Sequence, residues 1–536
     1  MYAASDLDCI IVGYHDLGFS TIAKKLKHTQ RYSGGYRALK ADSVLLHGER
    51  IPYMDLLNYI VSKTTPQQNP LHVTELPALG PCYLKNFLQQ RGLHSEIVNS
   101  FTYEQDRLRN LLLQSPRAVA ITTTFYVEYQ PIADIVKFIR TYNTQTRIIV
   151  GGPHIYNLCS SLDETTLYDI FTLIGADFYI FDSQGELTLS NLLHTLRTSQ
   201  SPDLSSVPNL FYAASSSVFT RTHSQPENNN LDTNSVDWSL FERNFLGPTI
   251  QIRTARSCSF ACAFCSYPAM AVPLTLMSLD TVKKDLDYFQ EIGVQNLVFV
   301  DDTFNVPLPR FKRLCRLLAN YNFRWFSYFR CSNADDEAFA LMQQSGCAGV
   351  FLGIESGDQS ILNNMNKYAQ VQRYIDGIQK LNARGIMTFA SLIVGFPGET
   401  AQTIENTINF IEEAAPTFYR AELFYHDTMV KVPVQEKADL YGLQGGGYSW
   451  HHNTMSWQEA CDWIEHMYKT IHHSLILPSY MFNFWSIPYL VGKGISLPQI
   501  QQFSRISQEM LIQSLDDQDV DFTQQEQRLL SLFQER

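Results

Sequence analysis

Three of the ten cysteines stand together. Cys258, Cys262 and Cys265 lie in the segment RSCSFACAFCSYP, Arg256–Pro268, with the spacing C-x3-C-x2-C. Thiolates are the ligands of iron–sulfur clusters, and three of them can hold three irons of a four-iron cube. The fourth iron is then left without a protein ligand, and a small molecule carrying an amine and a carboxylate can chelate it. A zinc site is the alternative for the same residues. Structural zinc usually takes four ligands in two close pairs, and no second close Cys or Cys/His pair is present, because His451-His452 and His472-His473 are adjacent rather than spaced. The other seven cysteines, Cys9, Cys82, Cys159, Cys315, Cys331, Cys347 and Cys461, are scattered singly, as small buried apolar residues are.

A cluster loop needs a rigid strand before it. The pattern around the cysteines supplies one and repeats it. Strands are expected at 249–255, 295–301, 325–331, 348–355, 387–394 and 417–425, with helices at about 278–292, 307–320, 335–345, 371–384 and 400–414. Six strand–helix repeats suggest a partial (β/α) barrel, and the cysteines then sit at the carboxyl end of its first strand, where α/β architectures build their sites. The region 430–536 changes to a mainly helical pattern, with an aromatic block at Tyr480–Trp485 and a GGG run at 445–447.

A first α/β series precedes this one. Residues 7–14 read as a buried strand, 15–78 as an insertion of loops and short helices, and 79–90 as a helix. Strands follow at 94–98, 118–124, 148–150 and 177–181, with a helix over 132–142. Alternating strands and helices argue for a doubly wound parallel sheet. Ser215–Ser217 and 223–234, rich in Ser, Asn and Thr, read as a surface linker. The expected division is 1–213, a linker 214–248, the barrel 249–429 and a helical cap 430–536. No G-x-G-x-x-G follows Val12, so a dinucleotide site is not supported.

The C-x3-C-x2-C motif with Phe264 before its last cysteine resembles the radical S-adenosylmethionine (SAM) superfamily. VFVDDTFN (298–305), VFLGIES (350–356) and LIVGFPGE (392–399) resemble, in order, that superfamily's motifs for the SAM amine, ribose and adenine. The resemblance covers about 249–425. It implies a partial (β/α)6 barrel with Cys258, Cys262 and Cys265 on a [4Fe–4S] cluster that reductively cleaves SAM. It also implies Phe264 and Gly395 near the adenine, Asp301, Asp302 and Thr303 near the methionine amine, Glu355 near the ribose, and Arg330 at the end of the third strand as a further SAM contact.

The first series resembles the Rossmann-like cobalamin-binding domain found upstream of many radical SAM enzymes. The matching pieces are 76–92, AITTT (120–124), VGGPH (150–154) and GADFYIFDSQGELTL (175–189). The resemblance implies cobalamin contacts from Thr122, Thr123, Thr124, Gly151, Gly152, Pro153 and Glu186. Domains that ligate cobalt through histidine carry Asp-x-His-x-x-Gly; here Gly13–Gly18 keeps His15 and Gly18 but lacks the Asp.

Together the two halves resemble a cobalamin-dependent radical SAM methyltransferase, and 441–460 loosely resembles the subgroup containing the phosphinothricin-type P-methylase. The implied activity is methyl transfer from SAM by way of methylcobalamin to an unactivated carbon or phosphinate centre of a small metabolite. The electron would come from an external flavodoxin- or ferredoxin-type donor. A non-methylating cobalamin enzyme (an oxidative cyclase or rearrangement) and a methylthiotransferase are the alternatives. Tyr425, Trp450, His451, His452 and Trp457 are expected to help close the substrate pocket.

Composition agrees with such an enzyme. The chain has 536 residues, 45% hydrophobic, and a formal net charge of −12 from 41 Lys+Arg against 53 Asp+Glu. No basic run points to nucleic acid. No secretory leader or apolar span is apparent, so a cytoplasmic location is expected.

Overall fold

The computed structural model describes residues 7–15, 18–29, 32–64, 69–198, 203–215, 218–267, 273–517 and 520–534. The apolar run at the start forms β1 (Cys9–Tyr14), in which Cys9 to Val12 are fully buried. A hairpin of β2 (Ser43–Leu46) and β3 (Glu49–Pro52) follows. Then come β4 (Ser95–Ser100), β5 (Ala118–Thr122), β6 (Arg147–Gly151), β7 (Phe178–Ile180), β8 (Leu210–Ser215) and β9 (Val218–Arg221). The first sheet has the order β4-β1-β5-β6-β7-β8-β9, parallel through β7 and antiparallel beyond it.

Side chains alternate across this sheet, so one run of residues serves two cores. Ile10, Val12, Ile121 and Val150 pack with the helices 130–142 and 164–174. Cys9, Ile11, Ala120 and Ile149 face the helices 79–89 and 186–198 and join the main core of the molecule. Both faces are covered, which is why the strands read as continuous apolar runs rather than alternating ones.

Two segments differ from expectation. The insertion at 15–78 is a folded unit that docks on the C-terminal helices Leu497–Ser514 and Thr523–Gln534. Tyr53 meets Phe482 and Phe503 edge-on, Leu45 N donates to Ser514 Oγ at 2.9 Å, and Arg50 pairs with Asp517 at 2.5 Å. Its apolar residues find their partners more than 400 residues away in the chain, so local periodicity does not reveal them. The supposed surface linker is also built in, although Ser216 and Ser217 lie outside the described residues. Hairpin β8–β9 extends the sheet, and Glu227, Leu231 and Trp238 beyond it are buried. Glu227 accepts from Leu187 N (2.8 Å) and Thr188 N (2.7 Å) at the start of the helix Glu186–Thr198. Most of 223–234 meets solvent as its composition suggests, while Glu227 and Asn229 turn inward to satisfy buried groups.

The second sheet begins with β10 (Thr249–Ile252). A short ribbon of β11 (Ala255–Arg256) and β12 (Thr275–Leu276) interrupts. Next come β13 (Asn296–Phe299), β14 (Arg324–Tyr328), β15 (Cys347–Glu355), β16 (Met387–Val394) and β17 (Phe418–Leu423). A small antiparallel sheet of β18 (Gln444–Gly446), β19 (Ser449–His452) and β20 (Met455–Ser456) precedes β21 (Leu475–Ile476). The order β10-β13-β14-β15-β16-β17-β21 is parallel throughout. Helices start on side-chain caps, among them Ser278, Asp335 and Thr400, each accepting from the third residue on. The six expected strands are present, and β21 from the C-terminal region adds a seventh. The expected ranges 249–255, 325–331 and 417–425 overrun β10, β14 and β17 at their carboxyl ends, where the chain leaves the sheet to build the site. No described helix is long and apolar enough to cross a membrane.

Candidate functional site

The turn after β10 is set by a buried carboxylate. Asp301, just past β13, accepts from Thr254 N at 2.6 Å, Ala255 N at 3.0 Å and Thr254 Oγ1 at 2.5 Å. Arg310 reinforces the turn by donating to Thr254 O (3.0 Å) and Met277 O (2.8 Å). Asp301 was expected beside a methionine amine. Its fully buried carboxylate is instead committed to the backbone that leads into the cysteines. Ser257 then takes a φ of +82° and aims Cys258 so that its Sγ lies 3.2 Å from Thr303 Oγ1. The rest of the loop is pinned by Ala263 N to Met365 O (2.8 Å), Asn366 Nδ2 to Ala261 O (2.7 Å) and Val434 N to Ala263 O (2.8 Å).

Two cations approach these thiols. Arg330, after β14, lies with its guanidinium 3.6 Å from the ring centre of Phe260, which stands between Cys258 and Cys262. It is only 8% exposed, and its Nε and Nη2 have no hydrogen-bond partner. Asn305 holds its backbone through two bonds of 3.0 Å. Lys367 pairs with Glu355 at 2.7 Å and lies 5.5 Å from the centre of Phe264. Glu355 ends β15 with φ at +67°, a conformation rare for a side chain of this kind. Burial pushes the Cys262 thiol above its ordinary value, while Lys367 and Arg330 pull it back. Cys265 is pushed up to about 11, again by burial. Among the described residues no three His, Cys, Asp or Glu side chains converge on one point as a single metal ion would need. A cube takes each sulfur on a different iron. The three thiols and the two cations beside them, one a guanidinium with two unpartnered nitrogens, suit an iron–sulfur cube with a carboxylate-bearing ligand at its edge.

The glycine-bearing end of β16 is rigid. Gly395 N donates to Glu399 at 2.5 Å, and desolvation raises that buried carboxyl to about 8. Gly395 has φ at +92°, and a Cβ there would lie 2.3 Å from Trp450 Cη2. Trp450 is buried, donates to Phe424 O at 2.6 Å and stacks on His452, whose Nε2 lies 3.2 Å from Gly395 O. These two residues therefore brace the strand end from behind, where they had been expected to close the pocket. His451 is exposed, and Trp457 packs against Gly34 of the insertion. Of that group Tyr425 alone stands half exposed near the mouth, edge-on to Tyr448 at 5.0 Å.

A cleft of about 220 Å³ lies between the two sheets. Thr122, Thr124, Gly151, Gly152, Pro153 and Glu186 line it from the first sheet, and Arg253, Arg256 and Tyr267 from the cluster side. Thr123 does not line it; its Oγ1 donates to Gly151 O at 3.0 Å and shapes the turn. Gly152 has φ at +113°, and a Cβ there would crowd Thr123 Oγ1 at 2.9 Å. With Gly80 and Gly185 also on the wall, the cleft is poor in side chains on one face, which suits a flat ring or a nucleotide-like tail. Arg256 crosses the gap, donating to Gln184 Oε1 at 2.5 Å and standing 3.9 Å from Glu186. Burial raises the Glu186 carboxyl, and Arg256 opposes the rise. Asp302 hydrogen-bonds Tyr267 near Arg253; partial desolvation still raises its carboxyl. His15 is turned away from the cleft, edge-on to Phe101 and 3.2 Å from Thr102 Oγ1, while Asp16 and Leu17 lie outside the described residues. Sequence reasoning missed Lys367, Arg253, Arg256 and Tyr267. Of these, Arg256 and Tyr267 flank the cysteines closely enough to have been considered; Lys367 carries no local signal.

Known proteins resemble this chain. Residues 252–411 match the model of the radical SAM superfamily. An uncharacterized methyltransferase of Pyrococcus horikoshii is 25% identical over 349 residues, spanning 63% of this chain and 73% of its own length. The anaerobic magnesium-protoporphyrin IX monomethyl ester cyclase of Rubrivivax gelatinosus is 25% identical over 44% of this chain and 45% of its own. Among solved structures, the radical SAM methyltransferase TsrM of Kitasatospora setae, with cobalamin and a [4Fe–4S] cluster bound, superposes with a TM-score of 0.56 at 18% identity, covering 70% of this chain and 76% of that one.

Proposed function

We propose that this chain, an enzyme whose residues 252–411 form a radical SAM domain, is a cobalamin-dependent methyltransferase acting on a small molecule. The observation that carries the reading is the loop of Cys258, Cys262 and Cys265 with the unpartnered Arg330 guanidinium beside it. A buried cation without a counter-charge is costly unless something anionic joins it. The carboxylate of SAM is an anion of the right chemistry. A second support is the glycine-walled cleft facing Tyr267, which has room for the nucleotide tail of cobalamin between the first sheet and the cluster loop.

The bound groups supply the chemistry: the cluster and SAM a radical, cobalamin a transferable methyl group. The chain's own residues hold and shield them. Asp301 and Arg310 fix the turn before Cys258, Thr303 bonds its sulfur, Asn305 fixes Arg330, and Lys367 holds Glu355 at the mouth of β15. Glu355 would then offer its remaining oxygen to the sugar of SAM. Thr122, Thr124 and the Gly151–Pro153 turn offer hydroxyl and backbone groups to the corrinoid, and Arg256 ties that cleft to the cluster loop. An external flavodoxin- or ferredoxin-type protein delivers the electron.

The test is anaerobic purification with iron and cobalamin, followed by the visible spectrum, and then incubation of reduced protein with SAM and candidate small molecules. Bound corrinoid and a product heavier by one methyl group are expected. A protein that carries the cluster but takes up no corrinoid refutes the methyltransferase reading, and a product that has only lost hydrogens points to a cyclase instead.

A further inference from the structure

Below the mouth of the second sheet the edge of β17 is open. Strand β21 pairs only with Phe418 and Tyr419, so Arg420 to Leu423 have no strand partner on that side. The helix Gly34–Lys40 of the insertion and the helix Trp457–Thr470 close over this edge and leave a pocket of about 130 Å³. That is room for roughly four waters, or for a carboxylate and an amine on one carbon.

Arg420 lies at its centre with its side chain 12% exposed. Nη2 donates to Asp42 at 2.9 Å, and Nε stands 2.9 Å from Glu422 without the angle of a hydrogen bond. Nη1 has no partner. A structural ion pair would satisfy its donors, and a buried donor left unmade is costly. Glu422 is 45% exposed and has a second oxygen free to accept. Arg37, also on the wall, is already committed to Glu465 at 2.6 Å and Asp462 at 2.7 Å and offers no free cation. A ligand therefore meets one cation, Arg420, and two carboxylates, Asp42 and Glu422. A lone carboxylate would add a third negative charge, and a lone amine would face the guanidinium. A group carrying both charges meets both. Ala38, Ala41, Leu423 and Ile464 supply an apolar lining, and Tyr425 and Tyr448 form an aromatic rim above, toward the carboxyl end of β17. Phe424, four residues beyond Arg420, bonds Val394 at the level of the glycine-bearing strand end. Four residues of strand span about 13 Å, so a molecule anchored at Arg420 can extend to the mouth.

We infer that this pocket binds the α-amino-acid head of the substrate, its carboxylate on Arg420 and its ammonium on Glu422. The inference rests on the reading of the chain as a small-molecule enzyme. It is tested on the full, cluster-reconstituted chain by equilibrium dialysis against each of the twenty L-amino acids, with the decarboxylated amine and the deaminated acid of any that bind. One-to-one binding of at least one amino acid is expected, weakened about tenfold or more when either charge is removed from the ligand. Arg420→Gln should weaken it about 30-fold or more, and Glu422→Gln should do so for the amino acid but not for the deaminated acid. Circular dichroism and iron content, read on the same samples, establish that each variant is folded. Binding of none of the twenty, or equal binding by wild type and Arg420→Gln, overturns the inference. A sample with a cluster and no amino-acid binding refutes this pocket alone, whereas a chain unable to build a cluster refutes the reading beneath it.

Discussion

Replacing Asp301 separates two roles for a carboxylate at this position. Asp301 accepts from Thr254 N, Ala255 N and Thr254 Oγ1 at 2.5–3.0 Å, and with Asp232 it is one of two carboxylates whose charge acts on the buried Arg310. Asp301→Ala leaves two backbone N–H groups unsatisfied, at about 1–3 kcal/mol each. Arg310 keeps the charge of Asp232 and its own bonds to Thr254 and Met277. A destabilisation of about 2–6 kcal/mol is expected from the two unmade bonds. Asp301→Asn can still accept both backbone bonds through its carbonyl oxygen and should lose only about 1–2 kcal/mol, the charge-assisted share. Urea unfolding followed by circular dichroism measures both, and iron per chain after anaerobic reconstitution reads whether the cysteine loop has kept its shape. Stability and iron should fall together, Ala before Asn. If both variants keep wild-type stability and full iron while SAM affinity drops, Asp301 touches SAM and the positioning argument is wrong.

Four further outcomes follow from the geometry. Trp450→Ala should destabilise the chain by about 3–5 kcal/mol, because it empties a buried site against Gly395; an equally stable variant with altered product would return Trp450 to the substrate pocket. Gly152→Ala should cost about 1–3 kcal/mol and weaken corrinoid uptake, since φ there is +113° and the new Cβ meets Thr123; corrinoid titration and thermal melting check it. Glu399 is raised to about 8 by burial, so the folded chain holds that proton more tightly than the unfolded one. Its contribution is fully present below the unfolded value near 4.5 and is lost as pH climbs toward about 8, at roughly 1.4 kcal/mol per unit; Glu399→Gln should flatten that part of the stability profile, and an unchanged slope would contradict it. Arg330→Gln should weaken SAM binding about tenfold or more with iron content intact, measured by titrating SAM into the reconstituted protein.

The barrel was legible because its chemistry and its periodicity coincide. Most strands of 249–425 are short apolar runs followed by a helix, several of them capped at Ser278, Asp335, Asp358 and Thr400, and the cysteines, Glu355 and Gly395 sit where those runs end. What stayed hidden depends on distant partners. Nothing local shows that Tyr53 packs on Phe482 and Phe503, or that Arg420 meets Asp42. The Ser/Asn/Thr-rich stretch at 223–234 is largely solvated as it looked, but composition does not distinguish the polar groups that meet water from one that caps a neighbouring helix, as Glu227 does. Asp301 shows a related limit. A carboxylate at a strand end can face a ligand or turn inward to the backbone, and only the bonds to Thr254 and Ala255 decide between them. Trp450 and His452 likewise belong to an aromatic group whose exposed and buried members look alike in sequence. Six of the seven single cysteines are buried as their scatter suggested, and Cys159 is partly exposed; the thiols of Cys9, Cys315, Cys331 and Cys461 are pushed up to about 12 by burial.

The central claim is that Cys258, Cys262 and Cys265 hold a four-iron cube with one iron open to SAM. Electron paramagnetic resonance of the anaerobically reconstituted, reduced protein, recorded before and after adding SAM, addresses it most directly. The account predicts a reduced [4Fe–4S] signal, lost when any of the three cysteines is replaced by Ala, that changes shape when SAM binds. A signal indifferent to SAM, or a protein that holds zinc in place of iron, contradicts it.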